Sequence, residues 1–150
     1  MRDSERSKTY DAENEVLAIL LGQGTVEMFG SRFAIPDERK FSDIAGVQRY
    51  VDAVMDHIGQ PESITVRERK GQTKAHYEPL KQVIAVPVGV RWALREMVIL
   101  HEIAHHLTPN DLPSHGQEFR RNFSELAGKV LAPEAEFFLR VAFGERGLTI

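Results

Sequence analysis

The spacing of apolar residues changes several times along the chain, and each change marks an element. In residues 11–21, Val16, Leu17, Leu20 and Leu21 recur at helical spacing after an Asp11 cap, and Gly22 and Gly24 supply the stop. Residues 25–29 and 32–35 flank Gly30-Ser31 and predict a hairpin or a bent strand, followed by a charged turn at 36–40. Ser42 or Asp43 then caps a helix whose stripe is Ile44, Val47, Val51, Val54 and Ile58, with Gly59 and Pro61 ending it. His57, near that C-terminus, suits the helix dipole and is read as structural or solvated.

Period two takes over next. Residues 64–69 alternate Ile64 and Val66 with Arg67 and Arg69, a half-exposed strand, and Lys70-Gly71-Gln72 turns the chain. Residues 74–78 form a second strand whose Lys74, His76 and Glu78 mark an exposed edge. After Pro79-Leu80, residues 81–86 form a third strand, apolar on both faces and therefore expected inside the sheet. Pro87-Val88-Gly89 breaks it.

Helical spacing then returns over 91–107, with Leu94, Met97 or Val98, His101 and His105 on one face and Ile99, Ile103 and Leu107 expected against the sheet. Residues 108–111 end this helix. Ser114 and Gln117 match a capping box for the next, whose stripe is Phe119, Phe123, Leu126 and Val130. Pro133 can open a last helix that buries Phe137, Phe138 and Val141 and ends before Gly144. The pattern is α+β, with a small antiparallel or mixed sheet packed against the 91–107 helix and flanking helices. No repeat or linker divides it, so one domain over 1–150 is expected, with the polar residues 1–9 frayed.

Composition narrows the chemistry. The chain has no cysteine, so disulfides and thiolate metal sites are excluded. A net charge of −3 counts against nucleic-acid binding by a global positive field, so DNA association gains no support from charge. No apolar run reaches the roughly 18 residues of a membrane span, and the N-terminal residues lack a signal-peptide core. A cytoplasmic protein with no membrane partner is the expectation.

Four of the six histidines fall between His101 and His115. His101 and His105 stand one helical turn apart on one face, the arrangement with which two imidazoles reach one zinc ion. Glu102, one step round the helix, is placed to hold a zinc-bound water as general base. A catalytic zinc commonly takes a third protein ligand, and His115, Asp111, Glu118 and Glu125 are the candidates. Thr108 and Asp111 stand where the metzincin pattern needs Gly and His, which excludes that arrangement. Glu125 on the following helix is viable in length. His115 is favoured, because the turn after residue 107 returns the chain and Gly116 would permit close approach to the metal helix.

His101-Glu102-x-x-His105 followed by His115-Gly116-x-x-Phe119 resembles the SprT-like zinc metalloproteases and a group of small zinc metallohydrolases known mostly from sequence. The resemblance covers residues 91 to about 127 firmly and the preceding strands loosely. It implies a zincin-like fold, a Zn2+ ion held by His101, His105 and His115, and Glu102 as the catalytic base. The implied activity is peptide-bond hydrolysis on a protein or peptide substrate in extended conformation. The alternatives are a zinc-dependent hydrolase of a non-peptide small molecule and a non-catalytic zinc-stabilised binding module. His106 is expected off the metal face, solvated or in an outer position, and Tyr77 is expected to pack; neither is assigned to the oxyanion.

Overall fold

The computed structural model describes residues 3–150. In chain order the elements are α1 (Arg6–Leu20), β1 (Thr25–Met28), β2 (Ser31–Ala34), α2 (Ile44–His57), β3 (Thr65–Glu68), β4 (His76–Glu78), β5 (Val83–Val86), α3 (Glu96–His106), α4 (Gln117–Val130) and α5 (Pro133–Glu145). The class is α+β. The chain forms two compact units: one is the segment up to Glu38 together with Thr108–Ile150, the other is Arg39–Leu107. No helix among the described residues is long and apolar enough to cross a membrane.

The Arg39–Leu107 unit holds a three-stranded sheet in the order β3-β5-β4. β5 is central, as its two apolar faces require, and Ile84, Ala85 and Val86 are fully buried. It pairs parallel with β3 (Val66↔Ile84) and antiparallel with β4 (Tyr77↔Ile84). β4 is an edge, as expected, but it is shorter than expected. Lys74 is outside it, with its carbonyl accepting from Arg69 Nη1 at 2.6 Å. β5 starts at Val83 rather than Lys81, because Gln82 has a left-handed φ of 54° that breaks the extended run. The other edge, β3, is covered by α2. Gln48 Oε1 accepts from Val66 N at 2.7 Å and Gln48 Nε2 donates to Ile64 O at 2.9 Å, so one side-chain amide stands in for a neighbouring strand.

Asp43 rather than Ser42 caps α2, its carboxylate accepting from Gly46 N at 2.7 Å, a contact that contributes about 1 kcal/mol. Val47, Val51 and Val54 are buried as the stripe demands, each contributing about 1.5–3 kcal/mol on burial. The expected helix over 91–107 is divided. Arg91–Leu94 is a 3₁₀ turn, and Arg95 is extended (φ −105°, ψ 145°) before α3 begins. The interruption has a cause. Phe41 N donates to Leu94 O and Glu96 N to Arg39 O, a β-bridge that helical backbone at Arg95 would break. Glu96, fully buried at the head of α3, accepts from Arg39 N and Arg39 Nη1, both at 2.9 Å, and from the Tyr50 hydroxyl.

In the other unit, α1 and α4 both pack on α5. α1 starts at Arg6, not after Asp11, and Thr9 is fully buried. The stretch expected to fray is thus helical from Arg6, and its first two residues lie outside the described ones. The β1–β2 turn is Phe29-Gly30, both left-handed, rather than Gly30-Ser31. The α4–α5 approach depends on Gly128, where a Cβ would come within 2.9 Å of Glu136 Cβ. α5 buries Ala135, Phe138, Leu139, Ala142 and Phe143, while Phe137 and Val141 are only half-buried. Phe137 stacks instead on Phe33 of β2, with centroids 4.9 Å apart. Gly144 falls inside α5, and the left-handed glycine beyond the helix is Gly147.

Candidate metal centre

The regular spacing of α3 sets the first half of the site. His101 and His105 are one turn apart, and their Nε2 atoms approach to 3.1 Å with the rings 4.8 Å apart and edge to face. Two zinc–nitrogen bonds of about 2.0–2.1 Å at a tetrahedral angle place their nitrogens about 3.3 Å apart. The pair therefore has nearly the spacing that a shared ion needs. His101 is 2% exposed, and burial pushes its imidazole down to about 3. It is neutral at pH 7, as a ligand must be. Glu102 is also buried in α3, at 5% exposure.

His105 is followed by His106, which is buried and not solvated, leaving the other expected alternative, an outer position. The His106 side chain is 4% exposed. Its Nδ1 lies 2.6 Å from the Tyr77 hydroxyl of β4, and its Nε2 lies 3.4 Å from Glu62 Oε2. Nδ1 is thus hydrogen-bonded to Tyr77, while the Glu62 carboxylate faces Nε2. Glu62 also accepts from Gln82 Nε2 at 2.8 Å. Burial lowers the His106 pKa, with the Glu62 charge opposing. Burial raises that of Tyr77, and the same Glu62 charge adds to it. Tyr77 is thus more than packing: it fastens the edge strand to α3.

In the other unit His115 stands just before α4 and is 5% exposed. The expected capping box does not form. Gly116 is the N-cap and no side chain caps α4, while Ser114 Oγ donates to Asp3 Oδ2 at 2.9 Å. The close neighbour of Gly116 is Pro113, whose Cβ a Cβ at 116 would meet at 3.1 Å. Asp3 Oδ2 lies 2.6 Å from His115 Nδ1. Burial raises the Asp3 pKa, but hydrogen bonds from His115 and Ser114 outweigh it, and the carboxyl ends below its ordinary value. The His115 carbonyl accepts from Arg120 Nη1 at 2.8 Å and lies 3.3 Å from Thr9 Oγ1. Arg120 is itself fully buried, donating also to Glu5 Oε1 and Thr149 O, both at 3.0 Å. Asp3 carries no signal in the sequence, because its partner is remote in it, and of the Arg120 partners only the His115 carbonyl is near in the chain, Glu5 and Thr149 being distant.

Among the described residues, His101, His105 and His115 form a group of side chains that could hold a metal ion. Glu125, Glu118 and Asp111 are not in that group. Glu118 pairs with Arg121 at 3.3 Å, and Asp111 is exposed. The donors suit a metal such as zinc by type: imidazoles, one with a carboxylate on its other nitrogen. No known family model, no curated protein and no solved structure matches the chain.

Proposed function

We propose that this chain is a zinc metallopeptidase of zincin-like architecture, akin to the SprT-like proteases. His101, His105 and His115 hold the ion, and Glu102 is the general base. The observation behind it is the 3.1 Å approach of two imidazole nitrogens one turn apart, with a buried glutamate beside the first. Zinc, when bound, would supply Lewis acidity toward a carbonyl oxygen and toward water. Glu102 takes the proton of the attacking water and returns it to the departing amine.

The substrate reading draws on the two sheet edges. On β3, Gln48 already occupies Val66 N and the neighbouring Ile64 carbonyl. β4 is an edge strand, paired to β5 and bonded through Tyr77 to the residue after His105. An extended peptide would add to β4 through main-chain hydrogen bonds. The test is cleavage of an unfolded protein by the zinc-loaded chain, with and without DNA, alongside metal analysis. Glu102→Gln should keep the metal and lose at least about 100-fold in turnover. Near wild-type activity in that variant would end the general-base assignment. Bound zinc without peptidase activity would favour a small-molecule hydrolase or a binding module.

A further inference from the structure

We propose that Asp3 is the positioning residue of His115, its carboxylate fixing the ring so that Nε2 is the nitrogen presented to a metal. The inference rests on the metal site proposed above. Asp3 Oδ2 is 2.6 Å from His115 Nδ1, although the two are 112 residues apart in the chain. An ionised carboxylate accepts hydrogen bonds and donates none. Nδ1 must therefore carry the ring proton, and in a neutral imidazole the lone pair is then on Nε2. Metal-binding histidines commonly hold their second nitrogen against a carboxylate in this way, which also raises ligand basicity.

The surroundings hold that arrangement in place. Ser114 Oγ donates to the same Asp3 oxygen at 2.9 Å, and the Asp3 side chain is only 20% exposed. Tyr10 and Phe119 flank the imidazole at 5.0 Å and 5.2 Å between centroids. Arg120 and Thr9 hold the backbone of His115 independently of its ring. Asp3 precedes α1, which starts at Arg6, so replacing it removes a ring partner without cutting into a helix. The carboxylate thus has one role that the packing does not duplicate: it chooses the tautomer.

The experiment uses the full chain and reads two quantities. Long-range proton–nitrogen NMR of the metal-free protein, labelled at histidine, reports the tautomer of His115. Competition between protein and a chelator reports zinc affinity. Wild type should show the Nδ1–H form. Asp3→Ala should lose that form and bind zinc about 10–100-fold more weakly. Asp3→Glu should restore part of both, and Ser114→Ala, which keeps the carboxylate, should change affinity by less than about 3-fold on the same outer-shell scale. A wild-type tautomer, or wild-type affinity, in Asp3→Ala with unchanged circular dichroism would overturn the proposal. If wild type binds no zinc while Asp3→Ala still shifts the tautomer, the metal reading fails and the control of the ring by Asp3 stands.

Discussion

The histidines of α3 and the histidine before α4 reach their positions by different physics. His101 and His105 sit in a regular helix, and the turn of that helix alone puts their nitrogens 3.1 Å apart. The ring of His115 has no such local device. Its ring is held by Asp3, and its carbonyl by Arg120 and Thr9, with Thr9 106 residues away. The first arrangement survives any change that leaves the helix intact. The second depends on contacts between the ends of the chain, so it is open to disruption far from the site.

The largest way to break the contrast is through Arg120. It is fully buried and donates to Glu5, Thr149 and the His115 carbonyl. Arg120→Leu leaves those acceptors without their cation and should cost about 3–5 kcal/mol in urea unfolding. Variants at His101 should cost far less, since α3 keeps its backbone hydrogen bonds. Equal losses would mean that the two histidine environments are equally non-local.

Ligand removal comes next. His115→Ala should weaken zinc binding by more than about 100-fold, beyond the usual cost of losing an outer partner, while Glu125→Ala should stay within a few-fold. A zinc titration of both variants decides. Loss in Glu125→Ala with none in His115→Ala would transfer the third ligand to the body of α4.

A pH titration sharpens the α3 side. Burial holds the His101 pKa at about 3 in the fold, against an ordinary value of 6.5. The unfolded chain therefore binds more protons between these values. The contribution is fully present above about pH 6.5 and is lost as pH falls toward 3. Metal-free protein should lose stability on acidification through that window, and His101→Gln should flatten the dependence. An unchanged profile in the variant would place the acid sensitivity elsewhere.

The smallest effect concerns Tyr77. Removing its hydroxyl in Tyr77→Phe deletes the 2.6 Å hydrogen bond to His106 and should cost about 1 kcal/mol. Zinc affinity should be unchanged, because His106 is not a proposed ligand. A large fall in affinity would show that β4 supports the α3 pair after all, and the contrast with His115 would narrow.

Local elements were legible to the extent that their cause was local. The stripe of α2, the central place of β5 and the edge character of β4 all follow from periodicity, and all three are found. The spacing of His101, Glu102 and His105 belongs with them. Several of the misses fall where a remote partner intervened. The helix over 91–107 is interrupted at Arg95 by pairing with residues near Lys40. Ser114 gives its hydroxyl to Asp3 rather than to a helix cap. α5 rotates so that Leu139 and Phe143 are buried in place of Phe137, which stacks on β2.

The amino-acid sequence by itself determined which residue types are available for chemistry: histidine and carboxylate donors, no thiol, and two imidazoles one helical turn apart. A helix repeats every 3.6 residues wherever it occurs, so that pairing needs no knowledge of the rest of the chain. Tertiary structure alone decided which carboxylate meets the Nδ1 of His115, which remote hydroxyl meets its carbonyl and which residue fastens β4 to α3. Those residues are Asp3, Thr9 and Tyr77. Each makes a hydrogen bond between groups far apart in the chain, and its geometry exists only once the elements carrying both ends have packed.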